Sequence, residues 1–196
     1  MTASAHRQAP RSAIVHLAPG LPDRPGGAVR LREAPLHAQV ELRLDDEAAD
    51  SLSPDVGRLL RCELPRPGHA TGRGDLYVLW LGPGWYLVMG RPGGGRGLLT
   101  GLEDALDTAL GSAVDVSAAR TVLELSGPDA RTVLAHGCPL DLHPRAFGPG
   151  RCAQTVLAQA QAVLHQTAPD AYSILVRTSY ADYLVRWLLD AMTEYL

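Results

Sequence analysis

One long uncharged run is divided by a turn signal, and this feature constrains the fold most. Residues 76–81 and 85–89 are two short apolar segments, and Gly82-Pro83-Gly84 lies between them. A short turn of this kind joins antiparallel strands, whereas parallel strands need a long crossover. The sequence therefore predicts an antiparallel hairpin. It predicts no membrane segment here, because the run 76–90 is too short to cross a bilayer.

Further strands are indicated by the spacing of apolar residues. Val40, Leu42 and Leu44 alternate with polar residues, which is typical of a strand with one buried face. Residues 121–125, 152–167 and 171–176 also have the composition of strands, and the second of these is long enough for a pair.

Four helices are predicted from apolar residues at helical spacing. Their expected starts are Ser53-Pro54, a capping box of Thr100 and Glu103, the segment 126–129, and Ser179 with Asp182. The apolar faces are Val56, Leu59 and Leu60; Leu102, Ala105, Leu106, Ala109 and Leu110, ended by Gly111; Ala130, Val133 and Leu134, ended by Gly137; and Ala181, Leu184, Val185, Leu188, Leu189 and Met192.

Hairpins and helices in irregular alternation indicate an α+β fold. We expect one domain over residues 36–196, made of two sheet-and-helix halves at about 36–116 and 117–196. Residues 1–35 are rich in proline and glycine and are expected to form a loose arm. A surface loop is expected at 65–75, and a flexible connection at the glycine run 93–97.

Composition excludes several function classes. All 18 basic residues of the 196 are arginine, so chemistry that needs a lysine is ruled out. The net charge of -3 argues against a nucleic-acid partner. The cysteine count is odd at 3, with wide spacing, which favours reduced thiols and a cytoplasmic location. No export signal or membrane partner is expected.

The densest polar cluster lies between residues 138 and 154. It carries two prolines that stiffen the backbone, an aspartate suited to capping amides, and leucines suited to anchoring. A rigid loop of this kind suits a docking surface. The residues expected at such an interface are Pro139, Leu140, Asp141, Leu142, His143, Pro144, Arg145, Arg151, Cys152 and Gln154.

Two chemical alternatives use the same cluster. Cys138, Asp141, His143 and Cys152 offer zinc-type ligands, although their spacing fits no common structural zinc site. A nucleophilic cysteine with His143 as its base is the other alternative. The sequence has no recognisable catalytic motif elsewhere, so a binding module or subunit is favoured over a free-standing enzyme.

The same residues carry a family resemblance. The run Gly137-Cys138-Pro139-Leu140-Asp141-Leu142-His143-Pro144-Arg145 resembles the gamma subunit of heterotetrameric sarcosine oxidase, and the similarity covers about residues 30–196. Further matching segments are Asp115-Val116-Ser117, Arg120-Thr121-Val122-Leu123, Leu125-Ser126-Gly127-Pro128, Pro149-Gly150-Arg151-Cys152-Ala153-Gln154-Thr155, residues 176–184, and Trp80-Leu81-Gly82-Pro83-Gly84-Trp85.

The resemblance implies a fold like that of the folate-dependent aminomethyltransferases. It also implies a complex that oxidatively demethylates sarcosine to glycine, with hydrogen peroxide and methylenetetrahydrofolate or formaldehyde as further products. In that family FAD, FMN and NAD belong to the alpha and beta subunits and zinc to the delta subunit, with tetrahydrofolate as the one-carbon acceptor. The resemblance supplies no catalytic, cofactor-binding or metal-binding residue for this chain, so we expect it to be inactive alone.

Three other functions stay open from the sequence. The chain could serve a related flavin dehydrogenase acting on another N-methylated amino acid. It could be a stand-alone folate-binding module of the same fold. It could also be a zinc protein built on Cys138, His143 and Cys152.

Overall fold

The structure is a computed structural model that describes residues 11–34, 36–45, 54–106 and 110–196. Within these residues the chain forms two five-stranded sheets, and every pairing within them is antiparallel. Helices pack on the outer side of each sheet. The predicted α+β class is confirmed.

The elements follow in chain order. The strands are β1 (Arg30–Ala34), β2 (Ala38–Leu44), β3 (Ala70–Arg73), β4 (Leu76–Gly82), β5 (Trp85–Gly90), β6 (Gly111–Asp115), β7 (Arg120–Ser126), β8 (Cys152–Leu157), β9 (Ala160–Ala168) and β10 (Ala171–Arg177). The helices are α1 (54–60), α2 (Gly95–Leu106), α3 (Ala130–Ala135) and α4 (Thr178–Ala191), with 3₁₀ turns at Ala18–Gly20 and Thr193–Tyr195.

The two sheets divide the chain almost in sequence order. The first sheet has the order β3-β4-β5-β2-β6, and the second has the order β1-β7-β10-β9-β8. The first packs its outer face on α1 and α2 through a cluster that includes Val40, Leu42 and Leu102. The second packs on α3 and α4 through a larger cluster that includes Leu134 and Leu184. Each sheet thus buries its apolar side chains under its own helices.

A third apolar cluster fills the space between the two sheets. Leu79 and Leu87 enter it from the first sheet, and Val122, Val163 and Leu175 enter it from the second. Because side chains alternate across a strand, both faces of the central strands are used, one toward helices and one toward the opposite sheet. The layers therefore run helices, sheet, sheet, helices.

In strand β2, residues on both faces are buried, although the alternation in the sequence predicts one buried face. Val40 and Leu42 are fully buried on the helix side, as the period predicts. Gln39, on the other face, is also buried at 1% exposure, and its amide donates to the backbone carbonyl of Arg120 at 2.9 Å. The alternate face of β2 therefore lies toward the second sheet.

The N-terminal segment differs from the expected loose arm over residues 11–34. Strand β1 pairs with β7 at the edge of the second sheet, from Arg30 opposite Ser126 to Ala34 opposite Val122. Ile14 is fully buried, and the His16 imidazole meets the Asp182 carboxylate at 2.6 Å. The few apolar residues among the prolines suffice because they join an existing core.

Several predicted boundaries are also wrong. Thr100 lies inside α2, which already begins at Gly95, so no capping box starts there. Ser179 and Asp182 lie within the first turns of α4, where Asp182 pairs with His16 and Arg186. Gly111 begins β6 and does not end a helix, while Ser53 and Ala109 lie outside the described residues.

Besides β1, two further short edge strands were not predicted from the sequence. Strand β3 lies within the expected surface loop 65–75 and pairs with β4. Strand β6 pairs with β2 at the other edge of the first sheet, where most of its residues are exposed. The predicted hairpin of β4 and β5, the pair β8 and β9, and β10 are confirmed.

Candidate docking loop

The connection between α3 and β8, residues 136–151, folds back on itself. The Asp141 carboxylate accepts a hydrogen bond from the backbone N–H of His143 at 2.9 Å. The His143 carbonyl then accepts from Ala146 at 2.8 Å and from Phe147 at 2.9 Å, and its ring nitrogen accepts from the N–H of Arg145 at 3.2 Å. The aspartate therefore caps the turn, as predicted from the sequence.

Two apolar side chains fasten this turn to the core. Leu142 and Phe147 are both 5% exposed and belong to the cluster under α3 and α4. Leu140 and Cys138 pack against the same cluster from its margin. A turn that is closed by its own hydrogen bonds and anchored at two points holds its exposed residues in one geometry.

The predicted interface residues separate into two groups. In the outer stretch, residues 139–145, the side chains of Asp141, His143, Pro144 and Arg145 are exposed. In the inner stretch, residues 151–154, the backbone runs beside residues 68–70 of the other half, with the N–H of Cys152 donating to the Gly68 carbonyl at 3.1 Å. The inner stretch therefore joins the two halves.

Side chains of the inner stretch reinforce that junction. The Cys152 thiol donates to the His69 carbonyl at 3.0 Å, and the Gln154 amide donates to the Leu81 carbonyl at 2.8 Å. The Arg151 guanidinium lies 3.2 Å from Nε2 of the His69 ring. These three residues thus act between the sheets.

The two chemical alternatives for this cluster find no support in the geometry. Burial raises the pKa of the Cys152 thiol to about 11, so it stays protonated at neutral pH. Sγ of Cys138 lies 3.9 Å from Oγ1 of Thr155. Among the described residues, no group of three or more His, Cys, Asp or Glu side chains is arranged to hold a metal ion. Cys138, His143 and Cys152 are therefore not brought together.

Two sites that the sequence analysis missed lie at the margins of the inter-sheet space. A groove of about 700 Å³ is lined by residues that include Arg43, Trp85, Arg120 and Arg177. A second cavity of about 670 Å³ is lined in part by Tyr77, His165 and Ser173. Both depend on strand register across the chain, which no local pattern reveals.

Two of the polar residues that line the second cavity, His165 and Tyr77, have strongly shifted pKa values. Burial lowers the pKa of His165 to about 4, and it raises that of Tyr77 to about 12. The two rings lie 5.5 Å apart between centroids. At neutral pH the pair is therefore uncharged.

No helix in the described part of the chain has the length and apolar character to cross a bilayer. The three cysteines, Cys62, Cys138 and Cys152, are free thiols.

Comparison with solved structures identifies proteins that have a similar fold. The chain is similar to a chain of the heterotetrameric sarcosine oxidase from Corynebacterium sp. U-96 in complex with pyrrole 2-carboxylate, with a TM-score of 0.87 and 36% identity, covering 96% of this chain and 97% of that one. It also resembles the glycine cleavage system aminomethyltransferase T of Bartonella henselae, with a TM-score of 0.63 and 16% identity over 83% of this chain and 46% of that one. The second likeness shows the fold alone.

Sequence comparison gives the same family. The chain is 39% identical over 188 residues to a sarcosine oxidase subunit gamma of Arthrobacter sp, covering 94% of this chain and 91% of that protein. It is 38% identical over 189 residues to the corresponding subunit of Corynebacterium sp. (strain P-1), with the same coverage. A profile described as the sarcosine oxidase, gamma subunit family matches residues 45–194. The chain therefore belongs to the sarcosine oxidase gamma subunit family.

Proposed function

We propose that this chain is the non-catalytic gamma subunit of a heterotetrameric sarcosine oxidase and that it docks through the outer stretch of the 136–151 loop. The observation that carries the docking role is the fixed display of Asp141, His143 and Arg145. All three are exposed, while Leu142 beside them is buried. Family membership supports the assembly.

Rigidity is the physical reason to assign docking to this stretch. A flexible loop loses conformational entropy when a partner orders it, and that loss weakens binding. The hydrogen bonds from His143, Ala146 and Phe147 and the burial of Phe147 order the loop before any partner arrives. Its charged groups can therefore be matched by a partner at a low entropic cost.

The chemistry of the complex is assigned to other chains in this proposal. The partners are alpha, beta and delta subunits, which would hold FAD, FMN, NAD and zinc and use tetrahydrofolate. The complex would demethylate sarcosine oxidatively to glycine. The gamma chain contributes by fixing the geometry of its neighbours, which affects the rate only indirectly. A cytoplasmic location belongs to the same proposal and accords with the three free thiols.

A matched pair of double variants tests the docking role. Asp141→Asn with Arg145→Gln removes two charges from the outer stretch while keeping an acceptor for the His143 N–H. The control, Asp55→Asn with Arg58→Gln, removes an exposed ion pair from α1. When each is co-expressed with the partner subunits, the loop variant should lose gamma from the purified complex and the α1 variant should retain it. Equal retention of both variants would contradict docking through this stretch.

The non-catalytic role needs a separate measurement. The full chain, purified without partners, is expected to show no flavin absorption and no oxidation of sarcosine. Adding it to a complex that lacks gamma should restore the assembled stoichiometry. Peroxide production from sarcosine by the chain alone would overturn the role, whatever the loop variants do.

A further inference from the structure

The groove at one margin of the inter-sheet space is built around two arginines in register. Arg120 on β7 lies directly opposite Arg177 on β10. Opposite residues of an antiparallel pair project from the same face of the sheet. By the alternation of the strands, this is the face of Val122 and Leu175, which enter the inter-sheet cluster. Two cations therefore stand side by side where the apolar layer ends.

These two arginines have no hydrogen-bonded acidic partner among the described side chains. Neither guanidinium makes a hydrogen bond or ion pair with any other described side chain. Among the lining residues the acidic side chain is Glu41, and it already pairs with Arg43 at 3.1 Å. The described lining residues thus include three arginines and one carboxylate. Like charges directly opposite each other destabilise a sheet.

Burial of the Arg120 guanidinium away from water adds to the electrostatic cost of this arrangement. Burial lowers the pKa of the Arg120 guanidinium, and the charge of Arg177 lowers it further, while Glu41 acts in the opposite direction. The protonated form of Arg120 is thus held in an unfavourable setting. An anion placed between the two guanidinium groups would relieve both effects.

Trp85 supplies a second, independent sign of a ligand. Trp85 lines the groove, and its indole N–H is buried and has no acceptor among the described residues. The Arg43 guanidinium covers the same ring at 3.8 Å from its centroid, which fixes the ring in place. An unpaired buried donor is costly, so a ligand acceptor that reached this N–H from the groove would remove that cost.

We propose that this groove binds a small organic anion that carries two carboxylates. Arg120 and Arg177 would hold one carboxylate, and the Trp85 N–H would donate to the other. Val156, Val163 and other apolar lining residues would contact the carbon skeleton. A volume of about 700 Å³ is in the usual range for small-molecule sites. This site does not depend on the docking role of the loop.

Calorimetric titration of the full chain with succinate, with acetate as the monovalent control, is the primary test. Succinate should bind with one site per chain and acetate should bind at least tenfold more weakly. Arg120→Gln and Arg177→Gln should each weaken succinate binding by about 10- to 100-fold, because each removes charged hydrogen bonds. Trp85→Phe should weaken it by a few-fold. Arg58→Gln, an exposed arginine on α1, should leave it unchanged.

Two further readouts separate a binding site from a structural pair. Glu41→Gln should tighten succinate binding, because it removes the groove's own carboxylate, whereas Asp190→Asn on α4 should have no effect. Without ligand, Arg177→Gln should keep or raise the melting temperature, since it relieves repulsion. A large drop in that temperature would assign the pair a structural role and overturn the proposal.

Repeating the succinate titration with the assembled oxidase distinguishes a small-molecule ligand from a carboxylate of a partner subunit. Succinate binding should persist when the chain is part of the complex. Binding that is present in the isolated chain but lost on assembly would show that a partner's carboxylate fills the groove, and it would overturn a small-molecule site. Absence of succinate binding in both forms, or binding indifferent to both arginine variants, would also overturn it.

Discussion

The outer and inner stretches of the predicted interface lie close together in the sequence but make different contacts in the fold. Residues 139–145 form a turn closed on itself, with Asp141 and Arg145 in solvent. Residues 151–154 lie against the other half, where Cys152 is 1% exposed. The difference shows that one polar run in the sequence can include both an exposed loop and a stretch that joins the two sheets. Variants should therefore affect docking in one stretch and stability in the other.

Removing the Phe147 side chain, which anchors the outer stretch to the core, should cause the largest loss of stability. Such a loss would show that the outer stretch also depends on core packing. Phe147→Ala deletes a side chain that is 5% exposed, and a buried phenylalanine typically costs about 3 to 5 kcal/mol when replaced by alanine. Urea denaturation measures the loss. Val156→Ala, at 42% exposure, is the control and should change the free energy of unfolding by less than about 0.5 kcal/mol. Equal costs for the two variants would mean that the loop is not anchored through Phe147.

The next largest effect is a pH dependence of stability, which comes from His165 beside the inner stretch. His165 lies directly opposite Cys152, and burial lowers its pKa from 6.5 to about 4. The unfolded chain therefore takes up this proton at a higher pH than the folded chain does, so stability is complete above pH 6.5 and falls as the pH drops toward 4. The loss approaches about 3 kcal/mol.

Replacing the imidazole tests this dependence. Denaturation of wild type and of His165→Gln between pH 7 and pH 4 should differ in slope, with the variant flatter. Gln161→Asn, an exposed position on β9, should follow the wild type. Parallel curves for wild type and His165→Gln would refute the burial of a neutral imidazole.

A single hydrogen bond of the inner stretch should have a smaller effect. Gln154→Ala leaves the Leu81 carbonyl without its donor at 2.8 Å, and we expect a loss of about 1 kcal/mol. Gln159→Ala, exposed in the turn between β8 and β9, is the matched control. Thermal or urea unfolding of the two variants should separate them; equal stabilities would show that the hydrogen bond of Gln154 does not stabilise the junction.

The smallest change in stability is expected where the proposed docking effect is largest. Asp141→Asn with Arg145→Gln should stay within about 0.5 kcal/mol of wild type, because the turn keeps its acceptor and both side chains are exposed. Urea denaturation of the double variant checks this. A loss above 1 kcal/mol would show that the outer stretch also stabilises the fold, and the two stretches would no longer be separable.

The sequence predicts the elements whose signal is local. Alternation and turn residues identify β4 and β5, and helical spacing identifies α4. Strand β1 is missed because its neighbourhood is rich in proline and glycine, and its partner β7 is about 90 residues away. Strand β6 is missed because it is a mostly exposed edge strand. Pairing partners distant in the chain leave no mark on local composition.

The candidate docking loop also has some features that local sequence predicts and others that it does not. Prolines and an aspartate at residue 141 are enough to predict a stiff, capped turn, and the hydrogen bond to His143 confirms the cap. The inward position of Cys152 could not be predicted, because its acceptors are the carbonyls of His69 and Trp80, which are distant in the chain. The Arg120–Arg177 pair also requires the register of β7 and β10.

Strand β1 has a consequence for how this polypeptide is made. It leaves the ribosome before any of the first sheet, yet the strand it joins ends at Ser126. Residues 30–34 therefore have no pairing partner until residues 122–126 have been made, and their pairing closes a long loop. A fragment that begins after the first sheet would therefore lack the edge strand β1 of the second sheet.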